Sequence, residues 1–204
     1  QLGLTSAAGL TGLYRFASNG SSTFGFSGQN NILTGADNAV LFGAAVNQVA
    51  QTTNTGIFIF RNSNDYGGGS LISRGTIVQL ETGGIAGVTP LGTGAIEVYG
   101  TLTVNGNVGS LADGNTGNNT NALVLRPGSN LNFDNTALTN TQYLTQGRFG
   151  NNQGLLLNGA TLRMSGNTLA SVSETIGVLT AAKTGTIAVT GGGAAASTSL
   201  ILAG

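Results

Sequence analysis

The sequence predicts an all-β fold in which many short strands stack into a solenoid. Three strand signals within residues 62–106 support this prediction, each an apolar pair one residue apart: Val78/Leu80, Ile96/Val98 and Leu102/Val104. Alternation over so few positions, bounded by Gly and Asn, is typical of half-buried strands. Because each strand offers only two inward side chains, a core forms only when many strands stack.

The same alternation recurs along the rest of the chain. The further apolar pairs are Tyr14/Phe16, Phe24/Phe26, Val40/Phe42, Leu123/Leu125, Leu131/Phe133, Leu155/Leu157, Leu162/Met164, Ile176/Val178, Ile187/Val189 and Leu200/Leu202. At two or three strands per coil, they predict roughly eight rungs stacked at ~4.8 Å. Neither terminus carries a charged amphipathic helix to cover the last rung, so the sequence predicts no end caps.

Four stretches depart from this rhythm. Residues 106–122 are a Gly/Asn/Asp-rich loop and residues 134–153 are a second polar excursion, and loops of this length are usually functional or protruding. Residues 44–51, AAVNQVAQ, are the one stretch that could form a helical turn. Residues 56–60, GIFIF, are apolar on both faces, which predicts cover from a loop or a neighbouring chain.

Composition narrows the class of protein. The 204 residues share one texture, which predicts a single domain over residues 1–204. Only 7% of residues are charged, against roughly 25% in an ordinary soluble domain. Seven Lys plus Arg balance seven Asp plus Glu, so the chain lacks the basic surface that nucleic acid or acidic lipid requires. We therefore expect no nucleic-acid partner.

Missing residue types exclude several chemistries. The chain has no Cys and no His, which excludes disulfides, thiolate catalysis and Cys-based metal sites and removes the commonest general base. No apolar run approaches the ~20 residues of a membrane helix, so we expect no membrane insertion by this segment. Since the chain begins at Gln1 and its one Met is Met164, we expect a segment or processed piece of a longer repeat protein.

The central stretch resembles the passenger-associated repeat of bacterial autotransporters, also called the autotransporter-associated β-strand repeat. The matching elements are the strand Ile57–Phe60, the Asn-rich turn at 62–64, Tyr66-Gly67-Gly68, Gly75-Thr76-Ile77, Leu91-Gly92-Thr93-Gly94 and the Thr-Leu-Thr-Val-Asn-Gly run at 101–106. Residues 155–167 and 171–180 resemble a recurring variant in large surface proteins of the same type.

The resemblance implies a right-handed parallel β-helix that is secreted and displayed on the outer surface of a diderm bacterium. It implies a structural role, in which stacked repeats assist translocation and form a passenger stalk. Passengers of this kind usually end in a membrane barrel, and nothing in these 204 residues resembles one.

Catalysis is the main alternative, because parallel β-helices also carry enzymes that cleave polysaccharides with clustered carboxylates. The acids are Asp37, Asp65, Glu81, Glu97, Asp113, Asp134 and Glu174. Glu81, Glu97 and Asp113 are sixteen residues apart (97 − 81 and 113 − 97), but the first two are predicted on strands and the third in a loop. We therefore predict isolated solvated charges rather than an acid ladder, and no catalytic residue.

Other candidate sites are weaker still. Asp65 before Gly67-Gly68-Gly69 lacks the alternating Gly-Asp spacing of a calcium-binding repeat, and Thr101/Thr103 is a single Thr-x-Thr pair. The arginines are spread along the chain without interleaved aromatic residues. Arg148 beside Phe149 could cap a rung edge or stack on a sugar, and we favour the structural role. The sequence thus predicts no cofactor and no metal.

The leading interpretation is a structural and adhesive extracellular β-solenoid in a bacterial surface fibre, stalk or head-to-tail filament. The strand-rich ends, LTGLYRF near one terminus and TSLILAG at the other, predict open rung edges. These edges would join copies end to end in a mature protein, and would continue into neighbouring repeats in a fragment. Contact with a host surface, matrix or glycan remains open. The alternative is a carbohydrate-binding or carbohydrate-degrading β-helix.

Overall fold

A computed structural model describes residues 12–18, 20, 22–43, 56–81, 89–111, 122–140, 143–144, 147–194 and 196–203. Sixteen strands lie in these ranges. They are β1 (Leu13–Phe16), β2 (Thr23–Phe26), β3 (Ala39–Phe42), β4 (Ile57–Phe60), β5 (Ser70–Ile72), β6 (Ile77–Leu80), β7 (Ile96–Val98), β8 (Thr101–Val104), β9 (Leu123–Leu125), β10 (Asn130–Asp134), β11 (Leu155–Asn158), β12 (Thr161–Ser165), β13 (Val172–Ile176), β14 (Leu179–Lys183), β15 (Thr186–Thr190) and β16 (Thr198–Leu202).

The strands form two seven-stranded parallel sheets and a two-stranded one. Sheet A has the order β1-β3-β5-β7-β9-β11-β14, and sheet B has the order β2-β4-β6-β8-β10-β12-β15. The third sheet pairs β13 with β16. Each coil therefore places one strand in sheet A and the next in sheet B, which confirms the predicted parallel β-solenoid. The described residues form seven such levels, in keeping with the roughly eight expected.

Strand register stacks inward side chains into continuous columns. In sheet B one column runs Phe24, Phe58, Val78, Leu102, Leu131, Leu162, Ile187. The spacing between aligned residues varies, for example 26 residues from Ser70 to Ile96 and 32 from Leu123 to Leu155. The loops between strands differ in length, but the strands themselves remain aligned, so the columns stay in register. Among the described strands, no coil is as short as the sixteen residues that an acid ladder needs.

Burial confirms most of the predicted inward pairs and corrects one. Leu102/Val104, Leu131/Phe133 and Leu162/Met164 are all buried. Val178, predicted to face inward with Ile176, is 63% exposed, because β13 ends at Ile176 and the chain turns before β14.

The described residues of the polar segment 134–153 contribute to the core. Leu138, Tyr143 and Phe149 join the hydrophobic core, and Tyr143 and Leu144 have helical backbone. The Asn167 side chain holds this segment by donating to the carbonyl oxygens of Asn135 and Leu138 at 2.9 and 2.6 Å. The segment thus lines the third side of the solenoid, where the last two coils place β13 and β16.

The Tyr-Gly-Gly and Leu-Gly-Thr-Gly runs are explained by close approach of neighbouring coils. Tyr66 is fully buried, and its hydroxyl lies 2.5 Å from Ser70 Oγ. Thr93 N donates to the Tyr66 carbonyl oxygen at 2.9 Å. A Cβ at Gly92, whose φ is +74°, would collide with that same carbonyl, so this corner requires glycine.

Some predicted features fall outside the described ranges. Residues 44–51, Asp113 and most of the loop 106–122 are among them, although Ser110 and Leu111 at its start are buried. Within the described ranges, no helix has the length and apolar character needed to cross a membrane.

Candidate assembly interface

The C-terminal coil leaves the ends of the core columns uncovered. Ile187 and Val189 on β15 continue the columns of Leu162 and Met164 on β12. The β12 side chains are at most 1% exposed, whereas those of Ile187 and Val189 are 41% and 43% exposed. β15 is the last strand of sheet B, so no further described strand covers these side chains or pairs with the outer edge of β15.

The third sheet ends in the same way. Leu202 on β16 continues the column of the fully buried Ile176, and is 50% exposed. Leu200 stacks on Glu174 and is half-buried. This end of the solenoid therefore combines an apolar surface with open strand edges, which is the geometry that templates another strand.

The opposite end is aromatic. Phe24 on β2 is 49% exposed, while Phe26 beside it is buried. The Phe26 ring stacks on Phe60 at 4.4 Å and meets Phe16 edge-on at 4.8 Å. In the described residues β1 and β2 are the first strands of their sheets. Among the described residues, this end thus presents an aromatic layer and the outer edges of β1 and β2.

Charge is sparse on the terminal strands. β2, β15 and β16 carry no charged residue. In sheet A, β1 carries Arg15 and β14 carries Lys183. Charged residues on edge strands commonly discourage strand addition. The edge strands of sheet B therefore lack such a charged residue, whereas each edge strand of sheet A carries one.

A polar groove on the outer face of sheet B is a second candidate site. It encloses about 440 Å³ over β8, β10 and β12. Its polar lining includes Thr101, Thr103, Asn130, Asn132, Asp134 and Arg163. Asn132 Nδ2 donates to Thr103 Oγ1 at 3.4 Å, while Asn132 Oδ1 is buried without a hydrogen-bond partner. The groove offers hydroxyl, amide and guanidinium groups to a polar ligand.

The sequence predicts a structural role for Arg148. In the structure this residue is buried and holds two coils together, an arrangement that we call the Arg148 lock. The Arg148 side chain is fully buried and donates to the carbonyl oxygens of Val104 at 3.2 Å, of Asp134 at 3.0 Å and of Gly106. Val104 ends β8, Gly106 lies in the turn that follows β8, and Asp134 ends β10. One guanidinium group therefore joins two coils. The structural role expected for Arg148 is confirmed, but inside the solenoid rather than at a rung edge.

Glu174 holds the other side of this lock. Its Oε2 accepts hydrogen bonds from the backbone N–H groups of Arg148 at 2.6 Å and Phe149 at 3.1 Å. Burial raises the Glu174 pKa to about 7, although these two hydrogen bonds and the Arg148 charge oppose the rise. Burial lowers the Arg148 pKa to about 10. Because Glu174 is 1% exposed, its carboxyl group orders the segment rather than meeting a substrate.

The prediction of isolated, solvated acids is therefore wrong for three of them. Glu174 is buried. Glu81 pairs with Arg61 at 2.8 Å, and Glu97 pairs with Arg126 at 2.5 Å. These partners lie 20 and 29 residues apart, on neighbouring coils, which spacing within a strand could not reveal. Glu81 follows a sheet B strand and Glu97 lies on a sheet A strand, so no acid ladder joins them.

In the described residues, no group of three or more His, Cys, Asp or Glu side chains lies close enough together to hold an ion. Asp65, the candidate calcium ligand, lies exposed beside the Tyr66-Gly67 corner.

Comparison of the chain with protein-family models, with curated proteins and with solved structures found no match in any of the three.

Proposed function

We propose that this chain is a structural β-solenoid segment of an extracellular bacterial fibre or stalk, which lengthens by stacking coils end to end. The observation that supports this most directly is the exposure of the last described coil. Its inward residues continue the core columns but remain about half exposed at Val189 and Leu202. Exposed apolar surface is favourable to bury, at roughly 25 cal/mol per Å².

The lateral surface also supports a structural role. Outward positions on the middle strands of sheet B are mainly hydroxyl and amide side chains, such as Thr103 and Asn132, and charge is rare. Such a coat needs no counter-ions and presents few groups that acid or salt would alter. The resemblance of the central stretch to passenger repeats also supports our proposal of an extracellular location and a mechanical role.

Electron microscopy of the purified chain across a concentration series tests this proposal. We expect filaments or stacked rods of uniform width, whose length grows with concentration. Val189→Asp should abolish them, because it places a charge on the uncovered column end. Thr190→Asp is the matched control, since Thr190 is an exposed neighbour on the same strand and faces outward. Dispersed short rods at every concentration would contradict the proposal.

A second candidate function, binding of a polysaccharide, is favoured by the sheet B groove. Its hydroxyl, amide and guanidinium groups match the hydrogen-bonding needs of sugars. Titration with a panel of neutral and uronic-acid oligosaccharides tests it. Binding that is lost in Asn132→Ala but kept in Thr180→Ala, on sheet A, would support it. Absence of binding to every member of the panel would count against it.

A further inference from the structure

The outer face of sheet B changes character along the solenoid. Its two outward rows carry the apolar side chains of Ile57, Ile59 and Ile77 on β4 and β6, and they are polar on β8, β10 and β12. The groove of about 440 Å³ lies over this polar part. Described strands flank it on both sides, β6 next to β8 and β15 next to β12. The groove is therefore a lateral feature in the middle of the described solenoid.

The middle row of the groove is rich in hydrogen-bond donors. It consists of Thr103, Asn132 and Arg163, which align on successive coils. Thr103 Oγ1 accepts a hydrogen bond from Asn132 Nδ2 at 3.4 Å, so the Thr103 O–H remains available to donate to a ligand. The Asn132 Oδ1 acceptor is buried, and a guanidinium group carries five N–H donors and no acceptor. This row therefore favours a ligand that is rich in acceptors.

The groove contains one cation and one acid, and they differ in how far the protein already satisfies them. Arg163 is exposed, and among the described residues it forms no ion pair. Asp134 is half-buried, and its Oδ1 accepts hydrogen bonds from Thr136 N at 3.1 Å and from Thr136 Oγ1 at 2.6 Å. The carboxylate is thus held within its own turn, whereas the guanidinium group is accessible to a ligand.

Resting on the second candidate function, we propose that this groove binds an acidic polysaccharide and that Arg163 binds the carboxylate of a uronic acid. A guanidinium group binds a carboxylate through two parallel N–H···O bonds, which a neutral sugar cannot accept in the same geometry. Thr103 and Asn132 then donate to sugar oxygens beside that carboxylate. The volume of about 440 Å³ lies within the range of small-ligand sites.

Calorimetric titration with an oligogalacturonate and with its fully methyl-esterified, uncharged form tests the proposal. We expect the acidic form to bind more tightly, and added salt to reduce this preference. Arg163→Gln should weaken binding of the acidic form about ten-fold or more and leave the esterified form nearly unchanged. Arg15→Gln is the matched control, because it removes the same charge from an exposed position on sheet A. Asp134→Asn should strengthen binding of the acidic form about two-fold, because it removes a like charge.

The outcomes separate this proposal from the function on which it rests. A preference for the acidic form that disappears in Arg163→Gln and persists in Arg15→Gln supports it. Equal binding of the two forms, or unchanged binding by Arg163→Gln, overturns it and leaves polysaccharide binding intact. Tighter binding of a sulfated oligosaccharide of equal length overturns the assignment to a uronic acid. Absence of binding to every oligosaccharide overturns both the proposal and the second candidate function.

Discussion

Two neighbouring strands of sheet B, β12 and β15, have the same alternation and opposite exposure. β12 reads TLRMS and β15 reads TIAVT, and each presents two apolar side chains inward. Those of β12 are buried between coils on both sides, whereas those of β15 have a coil on one side only. Burial in this fold is thus decided by stacking neighbours and not by the sequence of the strand. A strand with one described neighbour therefore still exposes part of its apolar side chains, and burying them against a second coil would be favourable.

The largest expected effect contrasts an inner position with an end position of the same column. Leu162→Asp would leave an unpaired charge between Leu131 and Ile187, at a cost of several kcal/mol, and should unfold the local coils. Ile187→Asp should cost only about 1 kcal/mol in dilute protein, because its side chain already meets solvent. Hydrogen exchange over residues 155–180 measures the difference. Unchanged exchange in Leu162→Asp would contradict the placement of the column.

Removing the Arg148 guanidinium should have the next largest effect. Arg148→Met leaves three backbone carbonyls and the buried Glu174 without their cation, a loss we expect to cost about 3–5 kcal/mol. Arg163→Met is the matched control, because Arg163 is exposed on β12 and should stay within about 0.5 kcal/mol of the parent. Denaturant unfolding measures both. Equal stability of the two variants would show that the lock contributes nothing.

The pH dependence of the free energy of unfolding tests the protonation of Glu174. Burial raises its pKa to about 7 from the ordinary 4.5, so the folded state binds this proton more tightly than the unfolded state does. The resulting stabilisation is complete below pH 4.5 and is lost as pH rises from 4.5 through 7. It amounts to about 3 kcal/mol. Arg148, with a pKa of about 10, stays charged throughout this window.

Glu174→Gln provides the comparison for that pH dependence. The free energy of unfolding of the parent, relative to the Gln variant, should fall across this window, because the variant cannot lose the proton. Other acids titrate equally in both proteins and cancel. A difference that stays flat with pH, or that rises, would contradict the burial of this carboxyl group.

The smallest expected effect concerns the surface ion pairs. Arg126 and Glu97 are each about one third exposed, and such pairs contribute ~0–1 kcal/mol. Arg126→Gln should therefore lower the free energy of unfolding by less than about 1 kcal/mol, and added salt should reduce the difference. Thermal unfolding at low and high salt measures it. A loss comparable to that of Arg148→Met would show that this pair supports the fold more than its exposure indicates.

The strands could be predicted because alternation is local information. Pairs such as Leu131/Phe133 indicate within three residues which face of the strand points inward, and both side chains are buried in the structure. The lock could not be predicted in the same way, because Arg148 meets carbonyls 14, 42 and 44 residues away. One signal was present. Glu174 occupies the middle inward position between Val172 and Ile176, where an acid requires partners inside the core.

The candidate interface was predictable in kind but not in detail. The strand-rich stretches near residues 10–16 and 198–204 predict open rung edges. Which residues end each column depends on coil lengths that differ from one coil to the next, as the spacings of 26 residues from Ser70 to Ile96 and 32 from Leu123 to Leu155 show. Only the register reveals that Phe24 and Ile187 lie at opposite ends of one column.

Hydrogen exchange of β15 and β16 as a function of protein concentration tests end-to-end stacking most directly. If the C-terminal coil binds another coil, backbone amides at 186–190 and 198–202 should become protected as concentration rises. The strands β8 and β10, in the middle of the solenoid, should stay unchanged. Exchange in β15 and β16 that is independent of concentration, up to the highest soluble level, would contradict end-to-end stacking.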